Sequence, residues 1–504
     1  MLVDYEFRSQ KLIVSYIDKH GSIKLKYYNW PNPTKFIICE EDDRDRHGKF
    51  VTWNGNTVKE IYSRYPNRYS VYDFLDALPN EEKEMIFEYN EPEIFFVDIE
   101  NEILDEKINP LKANGEVQTI SIVNKNKVLV IGTKKFNKSQ SDSVESNINN
   151  QFEKFGTKYE FLYKQYDSEY DMLLNFFKVL IPKMPVITGW YVISYDWVYL
   201  VNRARNLGID PTISSFTGVL RKAWEENDNS ELPAHRIIVD YMELYAKWDS
   251  TIKVKESNSL DFVSQNILGV KKINYEGNLK YLYANDYTKF VLYNAVDSIL
   301  VQQIHNKQRY IDVLYGISTL SKVKITDAFK TLPVTEGILR SKMRNEKNVV
   351  FVKDNTHSDV TNDVELLVKG GWVKDPIVGM NSWTCCFDFA SLYPTTMRQF
   401  NISADSYKGQ LLKDKGKTIY DIIKQLHNTD EPVYSIFNGH KIQLDKDDII
   451  TLNGAVFKNE DGVVKQVMAE IYKERKKYKK MMMDANEELK DYERELKQLE
   501  KELS

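Results

Sequence analysis

Two carboxylates lie two positions apart in one short apolar segment, Ile94-Phe95-Phe96-Val97-Asp98-Ile99-Glu100. A compact run rich in Phe, Ile and Val predicts a buried β-strand. Because side chains alternate between the two faces of a strand, Asp98 and Glu100 are expected to point to the same side. Neighbouring carboxylates repel each other, so they require a cation or a shared proton. The alternative, from this segment alone, is a strand that runs out into an acidic loop.

Two later segments contain further acids. In residues 185–196 a short apolar strand meets Gly189 and a polar turn, and Tyr195-Asp196 stands where a helix would begin. In Tyr293-Asn-Ala-Val-Asp297 the tyrosine and the aspartate are four residues apart, which places both on one face of a helix. Each segment is ordinary alone, but their order and context together are specific.

This order resembles the 3′–5′ exonuclease signature, which has four acids and a tyrosine. Four carboxylates suit two divalent ions that clamp the attacking and leaving oxygens of a phosphodiester. Mg²⁺ and similar hard cations prefer oxygen ligands, and these residues supply only oxygen. The segments therefore predict a two-metal nuclease site.

Composition sets the outer bounds of the interpretation. The chain has 504 residues, enough for several domains, and 69 basic against 74 acidic side chains give a net charge of −5. This balance allows DNA binding but argues against a simple basic nucleic-acid coat. We expect no membrane association, because no secretory signal, membrane span or lipidation motif is found. The cysteines, Cys39 and the pair Cys385-Cys386, suggest neither a zinc site nor a disulfide framework, which fits a reducing cytoplasm.

Mixed strand and helix patterns predict an α/β sheet core between residues 94 and 312. Within it, residues 259–269 predict a helix closed by Gly269. Residues 236–244 predict a strand, and residues 134–150, rich in Ser, Asn and Lys, predict a surface loop.

A second group of candidate residues follows. Lys369-Gly370-Gly371 allows the close approach of a ligand to the backbone, although a plain turn is the alternative. In the run from Cys385 to Pro394 a predicted strand ends at Asp388, and a helix begins near Pro394. Backbone amides at such a turn are able to hold phosphate oxygens, and Asp388 is placed to hold a metal that bridges them.

At this point the chain resembles the family B DNA polymerases of large tailed bacteriophages. Phe387-Asp-Phe-Ala-Ser-Leu-Tyr-Pro394 resembles the first palm motif, which is highly specific, and Lys369-Gly370-Gly371 resembles the linker between exonuclease and polymerase. Asn453-Gly-Ala-Val-Phe and Asp461-Gly-Val-Val resemble the approach from palm to fingers. The resemblance covers essentially the whole chain, most weakly before about residue 90.

The resemblance implies an α/β and α+β multidomain fold with a ribonuclease H-like exonuclease domain, an incomplete palm and a long fingers helix. It divides the chain into an N-terminal domain with a return segment, an exonuclease domain, a partial palm and the first half of the fingers. The implied boundaries are 1–93 with 313–359, 94–312, 360–457 and 458–504.

The resemblance also implies roles for individual residues. Two Mg²⁺ or Mn²⁺ ions would bind the exonuclease acids, Tyr293 would orient the attacking water, and two further ions would bind at the completed polymerase site. The implied exonuclease ligands are Asp98, Glu100, Asp196 and Asp297. The implied polymerase residues are the metal ligand Asp388, the backbone of Phe389, and Ser391, Leu392 and Tyr393 around the triphosphate. Tyr393 would also exclude a ribose 2′-hydroxyl.

The resemblance also implies that Arg475 and Lys479 contact phosphates from the fingers. Their spacing of four residues puts both on one helix face. The alternative for these two residues is a solvated basic face. Lys369, Gly370 and Gly371 are the implied DNA contacts.

Three departures from the family pattern matter. Tyr191 stands where the family commonly has asparagine, and the short stretch 225–233 predicts a reduced strand-separating hairpin. The sequence stops at Ser504, before the second fingers helix, the Asp-Thr-Asp palm motif and the thumb. We therefore expect no DNA synthesis by this chain alone.

The last segment predicts one long helix from about Val464 to Ser504. An apolar seam recurs along it at alternating spacings of three and four, at Met482, Ala485, Leu489, Tyr492, Leu496, Leu499 and Leu503. We expect the seam to bind a helix of a separate C-terminal polymerase polypeptide. The alternatives are an intramolecular contact or a homodimeric coiled coil.

Three functional hypotheses follow. The first is the N-terminal part of a replicative DNA polymerase with proofreading exonuclease, which acts on primer-template DNA, single-stranded DNA and dNTPs in the cytoplasm of an infected bacterium. Its further partners would be the C-terminal polypeptide and a sliding clamp or other replication proteins. The second is a free-standing exonuclease with an inert palm remnant, and the third is a non-enzymatic nucleic-acid or replisome binding module.

Overall fold

The structure is a computed structural model of the chain. It describes the residues in these ranges: 1–38, 51–52, 58–64, 66, 68–104, 109–223, 230–249, 256–343, 348–349, 373–389, 391–411, 418–429, 431–437 and 440–503. Within this described part, no helix combines the length and the apolar character needed to cross a membrane.

The N-terminal elements are small sheets followed by two helices. The strands are β1 (Leu2–Arg8), β2 (Lys11–Ile17), β3 (Ile23–Asn29), β4 (Thr34–Ile38), β5 (Val51–Thr52) and β6 (Val58–Tyr62), and the helices are α1 (Arg68–Asp76) and α2 (Asn80–Phe87). Strands β1, β2 and β3 form an antiparallel sheet, and β4 pairs with β6.

A six-stranded mixed sheet forms the centre of the next region, in the order β10-β9-β8-β7-β11-β14. Its strands are β7 (Ile94–Asn101), β8 (Val117–Asn124), β9 (Lys127–Gly132), β10 (Glu160–Gln165), β11 (Val186–Gly189) and β14 (Ile237–Asp240). Strands β12 (Leu220–Lys222) and β13 (Glu231–Pro233) form a separate short hairpin, whose connecting residues 224–229 lie outside the described residues.

Helices pack on both faces of this sheet, and further helices follow them along the chain. They are α3 (Lys138–Phe152), α4 (Glu169–Asn175), α5 (Asp196–Asn206), α6 (Tyr241–Trp248), α7 (Leu260–Leu268), α8 (Leu279–Asn285), α9 (Tyr287–Gln308), α10 (Tyr310–Ser321), α11 (Ile325–Ala328) and α12 (Thr331–Met343). A π-turn at Phe176–Leu180 and a 3₁₀ turn at Ile181–Lys183 follow α4. On one face, Val97 and Ile99 of β7 enter a large apolar core with Trp197 and Leu200 of α5. On the other face, α9 packs over β7 and β8.

The C-terminal elements form a second sheet and a long helix. They are β15 (Asn348–Val349), α13 (Leu392–Gln399), β16 (Tyr407–Leu411), α14 (Ile419–Asn428), β17 (Tyr434–Phe437), β18 (His440–Gln443), β19 (Ile449–Ile450), β20 (Ala455–Phe457) and α15 (Val463–Leu503). Strands β16 to β20 pair in the order β18-β17-β16-β20-β19, and Ile422 and Leu426 of α14 join their core.

The chain divides into two compact units. One contains residues 1–31 and 74–337, including the six-stranded sheet, and the other contains residues 32–73 and 338–504, including the five-stranded sheet and α15. The finer domain boundaries expected from the sequence stay predictions.

The prediction of a loop at residues 134–150 was wrong, because most of this segment forms α3. Asn137 caps the helix, and its side chain and that of Gln140 each accept the other's backbone amide. The buried side chains Val144, Ile148 and Phe152 then anchor one face. Reciprocal capping and an apolar stripe outweigh the polar composition.

Two predicted strands also differ from the structure. Residues 236–244 form a strand only as far as Asp240, whose side chain caps the helix that follows. Residues 384–389, before and through Asp388, form no strand. Among the described residues no strand pairs with this segment, and a strand without a partner lacks the hydrogen bonds that hold a sheet together.

Candidate active site

Strand β7 places Asp98 and Glu100 on the face of the sheet that α9 covers. The strand pairs with β8 on one side and β11 on the other, so its register is fixed from both edges. Glu100 is buried and Asp98 is half-buried. Residues Val97 and Ile99 face the apolar core, and the alternation of the strand turns both carboxylates away from it.

Helix α9 brings Tyr293 and Asp297 to the same place. Ser121 of β8 helps to fix the helix on the sheet, because its hydroxyl donates to the Asn294 carbonyl at 3.0 Å. Carboxylate oxygens of Asp98, Glu100 and Asp297 lie within 4.8 Å of one another. Within the described part of the chain, this is the one group of three or more acidic, histidine or cysteine side chains close enough to share a metal ion.

Asp196 approaches this cluster from the start of α5. It is buried, and its Oδ1 accepts a hydrogen bond at 3.1 Å from the Ile99 amide, which lies between Asp98 and Glu100 in β7. The structure therefore brings together the four acids and the tyrosine that the sequence singles out.

Burial and mutual repulsion make these carboxylates hard to ionise without a cation. Burial and the nearby Asp297 raise the pKa of Asp98 to about 7. Burial and Asp98 raise the pKa of Glu100 and that of Asp196 well above their ordinary values. Burial also raises the pKa of Asp297. When these carboxyls ionise they repel one another, and a bound divalent ion would offset this repulsion.

An unsatisfied oxygen supports the fit to a metal. Asp297 Oδ1 is buried and has no hydrogen-bond partner among the described residues. A buried polar atom without a partner is uncommon in a folded protein. Its position beside two further carboxylates is consistent with a role as a cation ligand.

Lys272 is a site residue that the sequence interpretation missed. Its Nζ lies 2.7 Å from Asp297 Oδ2 and donates to the Tyr293 hydroxyl at 3.2 Å. Burial lowers the pKa of Lys272, but Asp297 and Tyr293 more than offset this effect, so that the amine stays charged. No spacing links this residue to the acids, and only its place in the fold, between α7 and α8, reveals it.

Asn294 is a second missed residue. Its side-chain amide donates to Asp98 Oδ2 at 2.7 Å. Asn294 follows Tyr293 on α9. Its contact with Asp98 is predictable from the sequence only if α9 is already known to lie over β7.

The second group of candidate residues lies in the other unit. Asp388, Phe389 and Tyr393 are exposed, and Ser391 adopts a left-handed backbone conformation immediately before α13. Arg475 and Lys479 are exposed on α15. Helix α13 packs against α15, where its Arg398 lies over the Tyr472 ring. Asp388 belongs to no group of three metal-binding side chains among the described residues. Lys369, Gly370 and Gly371 lie outside the described residues.

Comparison with known proteins covers both units. Residues 63–263 match the model of the DNA polymerase family B exonuclease domain, and residues 332–501 match the model of DNA polymerase family B. The DNA-directed DNA polymerase of Escherichia phage RB69 is 27% identical over 332 residues, which are 64% of this chain and 34% of that protein. The DNA-directed DNA polymerase of Enterobacteria phage T4 is 24% identical over 329 residues, again 64% of this chain and 34% of that protein.

A cellular relative gives a similar match. DNA polymerase 1 of Sulfurisphaera ohwakuensis is 24% identical over 349 residues, which are 66% of this chain and 37% of that protein. Each match thus spans about a third of the relative's own length. Two models of one family match most of the chain, one in each part, and the chain belongs to the family B DNA polymerases.

Proposed function

We propose that this chain removes nucleotides from the 3′ end of single-stranded DNA by metal-dependent hydrolysis. The observation that carries the proposal is that carboxylate oxygens of Asp98, Glu100 and Asp297 lie within 4.8 Å of one another. Asp196 accepts a hydrogen bond from the Ile99 amide, between Asp98 and Glu100 in β7. The match of residues 63–263 to the family B exonuclease domain supports it. The six-stranded mixed sheet that carries Asp98 and Glu100 is in keeping with a ribonuclease H-like fold.

Two Mg²⁺ or Mn²⁺ ions bound by these acids would polarise the scissile phosphate and lower the pKa of an attacking water. The residues of the chain position the reactants. Asn294 fixes the orientation of the Asp98 carboxylate through its 2.7 Å hydrogen bond. Tyr293 presents its hydroxyl beside the cluster, where it would orient the attacking water. Burial raises the pKa of Tyr293, so the hydroxyl keeps its proton at neutral pH. Lys272 offsets the negative charge on Asp297.

Removal of two ligands tests the proposal. Asp98→Ala combined with Glu100→Ala should lower the rate of digestion of a 5′-labelled single-stranded oligonucleotide by several orders of magnitude, because ions and positioning are lost together. The measurement is the appearance of products shortened one nucleotide at a time, with and without EDTA. Asp142→Ala with Glu153→Ala, which removes two exposed acids of the same unit, is the control and should digest at the wild-type rate.

Equal activity of the Asp98/Glu100 double variant and the wild type would contradict the proposal. Binding of the oligonucleotide without any digestion would instead favour the non-enzymatic binding module.

We further propose that the second unit contributes to a DNA polymerase that acts on primer-template DNA and dNTPs. The match of residues 332–501 to the polymerase family supports this proposal. Asp388 would bind a catalytic metal with the Phe389 carbonyl, Ser391 to Tyr393 would receive the triphosphate, and Arg475 and Lys479 would contact phosphates. The other metal-binding carboxylates would come from sequence outside these 504 residues, on the same or on a separate polypeptide.

The relatives from phages support a place of action in the cytoplasm of an infected bacterium. A free-standing exonuclease with an inert palm remnant is the alternative, and the primer-extension experiment in the Discussion distinguishes the two. A sliding clamp stays a predicted partner.

A further inference from the structure

One buried carboxylate on a neighbouring strand accepts two backbone amides of the turn that delivers Asp196. The side chains of Val192 and Ile193 in this turn also lie in the apolar core. Strands β11 and β14 run parallel, and Gly189 and Asp240 at their ends lie side by side. Asp240 is 1% exposed. Its Oδ1 accepts from the Tyr191 amide at 3.0 Å, and its Oδ2 accepts from the Ile193 amide at 3.2 Å. The same Oδ1 also accepts from the Met242 amide at 3.0 Å, which caps α6.

The turn needs such support, because its backbone is strained. Tyr191 has a φ of 66°, in the left-handed region. A residue with a Cβ atom is disfavoured in that region, because the Cβ comes too close to the backbone. Tyr191 is 47% exposed, so packing of its ring contributes little to holding the conformation.

Two further backbone hydrogen bonds link the turn to α5, and the Ser230 hydroxyl donates to the Ile193 carbonyl at 2.6 Å. The Tyr191 carbonyl accepts from the Tyr195 amide at 3.1 Å, and the Val192 carbonyl accepts from the Trp197 amide at 2.8 Å. Asp196, the first residue of α5, then reaches the Ile99 amide of β7. Any shift of the turn would therefore move Asp196 relative to Asp98 and Glu100.

We propose that Asp240 is a positioning residue of the exonuclease centre, which holds the left-handed turn at residues 190–195 and thereby fixes Asp196 against β7. This inference rests on the proposed exonuclease function. The hydrogen bonds of Asp240 go to backbone amides of the turn and of α6, and its positioning role acts through them. Its charge also contributes to the raised pKa of Asp196, so Asp240→Asn removes a repulsion as well as an acceptor.

The chemistry of the position favours aspartate over asparagine. The amides of Tyr191, Ile193 and Met242, joined by that of Glu243, converge on two oxygens, and a carboxylate supplies acceptors on both sides. Asparagine of the same shape has only one oxygen, so its NH₂ group would face the Ile193 amide or the amides on the other side. Loss of a partner that orients a metal ligand typically lowers metal affinity or activity by about 10- to 100-fold.

The test uses Asp240→Asn in the full chain. We expect Mn²⁺ binding, followed by electron paramagnetic resonance in the absence of DNA, to weaken by about 10- to 100-fold. In the nuclease assay kcat should fall by a similar factor, while KM for the oligonucleotide stays within about threefold of the wild-type value, because Asp240 is 1% exposed and is not available to contact DNA.

Two further variants separate positioning from general destabilisation. Glu169→Gln perturbs another buried acid of the same unit, which accepts from the Val117 amide and pairs with Arg203, and it should leave Mn²⁺ affinity unchanged below its melting temperature. Tyr191→Gly removes the conformational strain of the turn, because glycine adopts positive φ freely. Added to Asp240→Asn, it should restore a large part of the Mn²⁺ affinity.

Unchanged Mn²⁺ affinity in folded Asp240→Asn would overturn the inference, and so would an equal loss in Glu169→Gln. Failure of Tyr191→Gly to restore affinity would also count against it. If the wild-type chain binds Mn²⁺ but digests no DNA, the proposed function fails, and the Mn²⁺ comparison still decides the role of Asp240.

Discussion

At the scale of single residues, the acidic cluster lowers the stability of the metal-free folded chain at neutral pH. Asp98, Glu100, Asp196 and Asp297 are each harder to ionise in the folded chain than in the unfolded one, because they are buried together. A carboxyl whose pKa rises on folding contributes stability below its unfolded pKa and loses that contribution as the pH rises through its folded pKa. For Asp98 this window lies between about 4 and about 7.

We therefore expect the metal-free wild-type chain to melt at lower temperature as the pH rises from 5 to 8. Asp98→Asn removes one of the repelling charges, and it should raise the melting temperature in EDTA at pH 8 by several degrees while it abolishes metal-dependent digestion. Scanning calorimetry in EDTA and in Mg²⁺ measures the melting temperatures, and the oligonucleotide assay measures digestion. Mg²⁺ should raise the melting temperature of the wild type far more than that of the variant.

Glu169→Gln is a control variant for which the expected change in melting temperature has the opposite sign. Glu169 is also buried, but its carboxylate pairs with Arg203 at 2.6 Å, so its replacement should lower the melting temperature. A lower melting temperature for Asp98→Asn than for the wild type, in EDTA at pH 8, would show that the cluster is not strained by repulsion.

At the scale of elements, sequence reasoning was strongest where a residue type leaves few conformations open. The strand with Asp98 and Glu100 was predicted from its apolar run, and the helix closed by Gly269 was predicted from a residue that takes a left-handed conformation, with φ 66°. Helix α3 was missed because its composition is polar, although Asn137 and Gln140 stand at capping-box spacing.

Contacts between distant segments were beyond the reach of these patterns. Lys272 and Asp240 each act on residues that are remote in sequence or lie on another strand, and no periodicity points to either. The acids were found because metal binding restricts both their type and their approximate order. Residues that support the acids through single hydrogen bonds are restricted neither in type nor in order along the chain, so the sequence does not reveal them.

The start of α15 is fixed by polar groups that precede it. The Asp405 carboxylate accepts from the Val463 amide at 3.0 Å, and the Ser403 hydroxyl accepts from the Val464 amide at 3.2 Å. These bonds satisfy helix amides that otherwise lack partners, and a negative charge at this end also complements the helix dipole.

Asp405→Ala should lower the free energy of unfolding of this unit by about 1 kcal/mol and speed hydrogen exchange of the Val463 and Val464 amides. Glu460→Ala is the matched control. It removes an exposed negative charge near the same helix end but no capping hydrogen bond to Val463 or Val464. Equal effects of the two variants would mean that the capping bonds contribute nothing beyond general electrostatics.

Most of α15 has no apolar partner among the described residues. The predicted long helix is confirmed at Val463–Leu503, and at about 1.5 Å per residue it extends roughly 60 Å. Along the apolar seam, the larger side chains Met482, Leu489, Tyr492, Leu496 and Leu499 are all more than half exposed. Binding of a helix from a separate C-terminal polypeptide to this seam stays a prediction.

At the scale of the whole molecule, the two units have different prospects of independent activity. The four acids of the exonuclease centre all lie in one unit, whereas Asp388 has no cluster of described acids around it. Two-metal nucleotide transfer depends on several ligands that hold both ions. Digestion of DNA by the 504 residues without further protein is the expected outcome, and the expectation from the sequence that they do not extend a primer stays a prediction.

Primer extension tests this asymmetry. The 504-residue chain should give no extension with primer-template DNA and dNTPs, and a polypeptide that supplies the missing polymerase residues should restore it. Asp388→Ala should abolish the restored synthesis and leave digestion of single strands unchanged, whereas Tyr393→Ala should keep synthesis and admit ribonucleotides. Strong extension by the 504 residues alone would contradict this prediction, and failure of Asp388→Ala to affect restored synthesis would point to an inert palm remnant.

The order of the acids along the chain also has a consequence for folding kinetics. Asp98 and Glu100 lie in a strand that pairs with the next strand in sequence, but Asp196 and Asp297 arrive on α5 and α9 much later in the chain. Local pairings generally form before distant ones, because closing a long loop costs more entropy. The carboxylates therefore meet late in folding, and their repulsion accelerates unfolding more than it slows folding. Bound divalent ions would then lengthen the lifetime of the folded unit and leave the rate at which a new chain folds almost unchanged.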